Sequence, residues 1–157
     1  MMNEPGRLDG ELYRLEQFTD TPSPALVVYE ELVKNNLAII RSELETLSPR
    51  VGMGHLRPHV KTHKSAWAIR LQLSAGIEKF KCSHNELDLL LDEGVRDILV
   101  AYPPLEHLAG RIAAAAARND QSKILAQVSS IEHARYLAAA ARREDVELHY
   151  LIDLDVG

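Results

Sequence analysis

Short apolar runs and longer amphipathic ones alternate along this chain. ALVVYE (25–30) is apolar and β-branched and predicts a strand. ELVKNNLAIIRSELETL (31–47) follows, with Leu32, Leu37, Ile40, Leu44 and Leu47 at helical spacing. Ser48, Pro49, Gly52 and Gly54 end that helix in a loop. HLRPHVK (55–61) predicts a second strand, and 65–75 a helix closed by Gly76. KFKCS (79–83) predicts a strand, and HNELDLLLDEG (84–94) a helix ending at Gly94. DILVAY (97–102) reads as a buried strand. Pro103 and Pro104 open a helix running to about Arg118. KILAQVS (123–129) is a strand, and Ser129 or Ser130 caps the helix after it. LHYLIDLDV (148–156) is the last strand.

Strands alternating with helices over short linkers predict a parallel sheet with crossover helices. The expected fold class is α/β, either a TIM-type barrel or an open doubly wound sheet. No glycine-rich phosphate loop of either common kind follows a strand, which weakens the nucleotide-binding open sheet. Side-chain parity favours the barrel. Arg57, His59 and Lys61 share one face of their strand, and Pro58 and Val60 the other. Gln127 opposes Ala126 and Val128; His149, Asp153 and Asp155 oppose Tyr150, Ile152, Leu154 and Val156. An open sheet covered on both sides needs two apolar faces, whereas a barrel tolerates polar groups at its mouth. A closed barrel needs eight strands and these runs supply six, so the chain is expected to be the N-terminal five or six βα units of one. Residues 1–20 are polar and uneven and read as a leader; 21–157 form the barrel part.

Composition narrows the function. Of 157 residues, 46% are hydrophobic and 26% charged, which favours a packed core over disorder. The formal net charge is −5, so a nucleic-acid partner recognised through its phosphates is not expected. One cysteine, Cys82, excludes an internal disulfide and fits a reducing compartment; Cys82 itself reads as a small buried apolar residue. The N-terminus lacks the apolar stretch of a secretory signal, and no run approaches a membrane span. A cytoplasmic protein with no membrane partner is expected.

Against this acidic background, HLRPHVKTHKS (55–65) gathers three histidines, two lysines and an arginine. A lysine at a strand's C-terminal end performs carbonyl chemistry once it loses its proton, which desolvation and neighbouring cations favour. Lys61 is therefore the candidate Schiff-base lysine, with Arg57 and His59 tuning it. Metal binding by His59 and His63 is a rival, although Pro58 and the strand pattern oppose the helix that their spacing suits. An anion patch is another, without a glycine-bearing helix start beside it. Asp153 and Asp155 are candidates to hold a cofactor or to pair with Arg57, and Gln127 to bond a ligand.

TPSPALVVYEELVKNNLAII, LRPHVKTHKS, AGIEKFKCSHNELDLLLDEGVRDILVAY and YLIDLDVG occur in an order and spacing that resemble the alanine-racemase-like barrel. The similarity is greatest to the D-threonine aldolase and D-serine dehydratase family, fold-type III pyridoxal-phosphate enzymes, and covers about 21–157. The resemblance implies a lyase in which Lys61 forms the Schiff base with pyridoxal 5'-phosphate, and Arg57, His59, Gln127 and Asp153 lie around the cofactor. It implies a small D-amino acid substrate, cleaved by a retro-aldol step or dehydrated, and a homodimer. The family's remaining barrel strands, phosphate-gripping loop and C-terminal β-domain with its divalent-metal site are not expected within 1–157, so no metal ligand is assigned. The Tyr102–Pro104 turn departs from the asparagine-containing one the resemblance implies. A pyridoxal-phosphate carrier barrel, an inactive fragment and an amino-acid racemase are the alternatives.

Overall fold

A computed structural model describes residues 22–157; the expected leader lies outside the described residues. Helix α1 (Glu30–Leu47) is followed by two 3₁₀ turns, Met53–His55 and Val60–Thr62, and by α2 (Ala66–Ser74). Then come β1 (Lys79–Cys82), α3 (Leu87–Asp92), β2 (Asp97–Val100), α4 (Glu106–Arg118), β3 (Lys123–Val128), α5 (Ile131–Glu144) and β4 (His149–Ile152).

The four strands form one parallel sheet in the order β1-β2-β3-β4. Each strand thus neighbours its successor in sequence, without the reversal of order that defines a doubly wound sheet. The register sets Lys81, Leu99, Leu125 and His149 in one row across the sheet. Residues paired in a parallel ladder share a face, so this row belongs to the side opposite Phe80, Cys82, Ile98 and Val100. Those last four are fully buried. They join Ile112 and Ala113 of α4 and Leu137 and Ala140 of α5 in one core. The alanine-rich face of α4 brings α5 close, because a methyl side chain lets helix axes approach. The result is an α/β fold with a helix-covered face and a second face of mixed polarity.

Two expected strands are not strands. Ala25–Tyr29 makes no ladder, and Leu26 is 91% exposed. Apolar β-branched sequence becomes a strand only where another strand takes up its backbone bonds, and the sheet of the described residues places no strand beside 25–28. HLRPHVK keeps one parallel bridge, His59 with Lys81, and one bond, Lys81 N–H to Pro58 O at 2.9 Å. Pro58 has no N–H to extend the ladder, and the chain turns at Val60 immediately afterwards. The six expected strands are therefore four and a bridge, and the sheet is not closed into a barrel.

Helix boundaries move for local reasons. Pro103 and Pro104 hold the residues before them extended, so α4 starts at Glu106 rather than at the prolines. Ser130, not Ser129, caps α5: its Oγ accepts the His133 N–H at 3.3 Å. Gly76 and Gly94, at φ +85° and +72°, close α2 and α3 in the left-handed region as expected.

Candidate active site

The C-terminal edge of the sheet carries the lysine box. Val60 is fully buried and anchors the turn Val60–Thr62, leaving Lys61 exposed beside it. The His63 and Lys64 amides both donate to Val60 O, at 3.0 and 2.8 Å. Ser65 then caps α2 by accepting the Ala68 N–H. Lys61 is thus held beside a core residue at its backbone, with its side chain exposed. Its Nζ lies 5.8 Å from the centre of the Tyr102 ring, the residue two beyond β2. Among the described residues it enters no salt bridge.

His59 precedes the turn. Its Nδ1 accepts the Lys61 N–H at 3.3 Å, which leaves the proton of the neutral ring on Nε2. Burial holds the imidazole below its ordinary range, helped by the charges of Lys61 and Lys81 and opposed by Glu86. His63 behaves alike: its Nδ1 accepts the Ser65 N–H, and burial lowers its affinity for protons, opposed by the nearby Gln72 amide. Both Nδ1 atoms are therefore committed to backbone N–H groups, so the metal pair read as a rival from spacing loses a lone pair on each ring.

Glu86 is the one charged residue buried among those described, at 3% exposed. Its Oε2 accepts the Ser83 N–H at 2.9 Å and the Ser83 hydroxyl, while its Oε1 lies 3.3 Å from Lys64 Nζ. Burial raises its pKa, but these bonds and the Lys64 charge outweigh it and hold the carboxyl below its usual range. Sequence reading placed Glu86 merely in a helix turn. The S-x-x-E spacing of Ser83 and Glu86 before an apolar run was the signal available.

The other candidates separate into two places. Arg57 Nη1 bonds Asp97 Oδ1 at 2.8 Å and Phe80 O at 3.3 Å, at the N-terminal start of β2. It pairs with neither Asp153 nor Asp155. Gln127 Nε2 donates to Asp153 Oδ2 at 2.6 Å, and the Asp153 N–H bonds Val128 O at 2.8 Å. That pair shares the C-terminal edge with Lys61 but lies across β1 and β2 from it. Lys61, His59, Lys64, Glu86 and Tyr102 are thus one cluster, Gln127 and Asp153 a second, and Arg57 belongs to neither. A cavity of about 450 Å³ lined by Arg96, Lys123, Glu147 and His149 opens at the opposite ends of the strands and does not include the lysine box. Cys82 is buried, as expected, and burial followed by the Glu86 charge pushes its thiol up to about 12.

Neither a protein-family model nor a curated protein matches the chain. Solved structures do. A D-threonine aldolase from Filomicrobium marinum superposes with TM-score 0.73 at 20% identity, over 87% of this chain and 35% of its own. An H351A mutant of D-threo-3-hydroxyaspartate dehydratase gives 0.73 at 25%, over 88% and 34%. In fold, the chain resembles the D-threonine aldolase family. An alanine racemase-like protein from Idiomarina loihiensis agrees at 0.64 and 22%, over 78% of this chain and 31% of its own. The chain spans about a third of the length of each of these structures. The family resemblance carried by the lysine box and its flanking segments in sequence is therefore matched in fold. No helix of the described residues is long and apolar enough to cross a membrane. Among them no cluster of three His, Cys, Asp or Glu is placed to hold a metal ion.

Proposed function

We propose that the chain is the lysine-bearing part of a pyridoxal-phosphate lyase acting on a small D-amino acid, by retro-aldol cleavage or by dehydration. The observation that carries this reading is Lys61: an amine at the C-terminal edge of a parallel sheet, fixed at its backbone and tied to no carboxylate among the described residues. Strand C-terminal ends are where barrel enzymes place their chemistry. The aldolase and dehydratase activities named for the two matched structures support the reaction class.

The residues present fit the aldehyde and ring end of pyridoxal 5'-phosphate. Lys61 supplies the primary amine that an aldehyde requires, the centre of the Tyr102 ring lies 5.8 Å from it, and His59 bonds the Lys61 backbone. When bound, this cofactor supplies an electron sink for cleavage of bonds to the substrate's α-carbon. The protein's part is positioning and proton traffic. His59 stays neutral and orients the Lys61 backbone through Nδ1. Lys61 Nζ would accept or return a proton at the substrate's α-carbon. Gln127 and Asp153, already bonded to each other, stand across the same edge as polar contacts for a bound molecule.

The test is spectroscopic. The full-length protein with pyridoxal 5'-phosphate is expected to show a visible absorbance band that Lys61→Ala abolishes. An unchanged band in that variant sinks the assignment, and a band without turnover of D-threonine or D-serine favours the carrier alternative.

A further inference from the structure

The box holds two lysines, Lys61 and Lys64, three residues apart and both exposed. One buried carboxylate stands near them, and it meets only Lys64. Burying a carboxylate is unfavourable unless its oxygens are partnered. Ser83 serves Oε2 of Glu86, whereas among the described residues Oε1 accepts no well-directed hydrogen bond and has only the Lys64 ammonium, 3.3 Å away. Lys64 in turn adopts φ +48°, a left-handed conformation that a residue with a Cβ rarely takes without compensation. Its N–H closes the turn onto Val60 O while its side chain reaches Glu86.

We infer that Lys64 and Glu86 form a latch that positions Lys61, gripping the turn from its far side and occupying the nearby carboxylate so that the Lys61 amine stays unpaired. Two observations carry this independently: the backbone outlier at Lys64 and the buried, half-partnered carboxylate it reaches. Glu86 and Lys64 touch no reacting atom in this account; they are positioning residues. The latch concerns the turn itself, and its importance for catalysis rests on the proposed role of Lys61.

Three variants of the full-length protein separate the ion pair from the backbone. Lys64→Gly accepts the left-handed φ without strain but removes the amine, Lys64→Arg restores a cation, and Glu86→Gln removes the charge while keeping the shape. Amide hydrogen exchange at residues 63 and 64 reads the turn, with the Ile98 and Ile124 amides of the sheet as internal controls. Losing a charge-assisted contact is expected to speed exchange in the turn about tenfold in Lys64→Gly and Glu86→Gln, with the sheet unchanged and Lys64→Arg near the parent. Unchanged or slower exchange in Lys64→Gly overturns the latch, since the turn would then depend on backbone geometry alone.

The second readout is chemical: pyridoxal 5'-phosphate is added, trapped with borohydride, and the labelled peptides are mapped. The share of label on Lys61 is expected to fall about tenfold in the two latch-breaking variants and to recover in Lys64→Arg. An undiminished share overturns the positioning role. Label falling only on other lysines in the parent protein overturns the proposed function, and the exchange arm then decides the latch by itself. Lys64 is exposed, so its variants keep the test decisive if Glu86→Gln does not fold.

Discussion

The Arg57–Asp97 pair offers a measurement that decides between two roles for one residue. The sequence places Arg57 on the cofactor side of its strand; the structure bonds it to Asp97 at 2.8 Å, with the two side chains 25% and 26% exposed. Fully exposed pairs contribute about 0.2–1 kcal/mol, and breaking a fully buried one costs about 3–5 kcal/mol. A pair one-quarter exposed belongs between these limits, so a coupling energy of about 1–2 kcal/mol is expected. Arg57 also donates to Phe80 O at 3.3 Å, a bond that Asp97 does not share. Arg57→Gln is therefore expected to destabilise more than Asp97→Asn. The assay is a double-mutant cycle of these two changes and their combination, followed by urea unfolding. A coupling within the additivity error of about 0.3 kcal/mol refutes the structural role. So does a result in which Arg57→Gln weakens cofactor binding beyond what its loss of stability accounts for, while Asp97→Asn does not: Arg57 is then a ligand whose bond to Asp97 is incidental.

Two further expectations follow from burial. Cys82, with its thiol pushed up to about 12 from an ordinary 9.0, is expected to react with a disulfide reagent at pH 8 about a thousandfold slower than a free thiol, because the thiolate is the nucleophile; reaction at the free-thiol rate refutes its burial. His63 and His84 are held below their ordinary range, in both cases first by burial, with Arg111 and His107 adding to the effect on His84. Unfolding lets them take up protons, so the stability they contribute is whole above the unfolded value of 6.5 and is lost as the pH falls through and below it. Glu86, also held low, adds a second loss that starts only below its ordinary 4.5. Urea midpoints measured from pH 8 to pH 4 check this: a midpoint flat from 7 to 5, or one whose fall in that interval is unaltered by His63→Gln and His84→Gln, refutes the histidine assignment.

Much of the architecture was legible because it rests on local periodicity. The sheet strands from β1 onward and the helices between them fall where apolar runs and amphipathic stretches alternate, and Gly76 and Gly94 close the helices that precede them. What local pattern does not contain is a partner. ALVVYE has strand composition and no ladder; HLRPHVK has strand parity but a proline in its ladder and a turn at Val60. The site divides in the same way. Lys61 could be singled out as a candidate from the residues around it, because cations crowded at a strand end are chemically unusual. Glu86 could not be weighted, because its importance comes from burial beneath Lys64, a contact 22 residues away in sequence. Arg57 could be given a face but not a depth, and depth separates an arginine at the mouth from one at the foot of the sheet.

Under the proposed role of Lys61, the break in parity at Val60 suits the turn to an amine-bearing residue better than the expected strand would. In a continuous strand Lys61 would be held by a ladder on each side, and its side chain would stand in a row with its neighbours. Here the ladder stops at His59, whose backbone is bridged to Lys81. Val60 enters the core and the chain reverses, so Lys61 is flanked by one residue fixed by packing and, three positions on, by one fixed by charge. Fixing both flanks restricts the backbone without adding a partner to the amine. The centre of the Tyr102 ring lies 5.8 Å from Nζ, and a ring face stabilises a cation without consuming its protons. A lysine meant only for solubility needs none of this support, and a structural one would be expected to hold the carboxylate itself. Under the proposed function, giving that carboxylate to Lys64 is what would leave Lys61 as the reactive member of the pair.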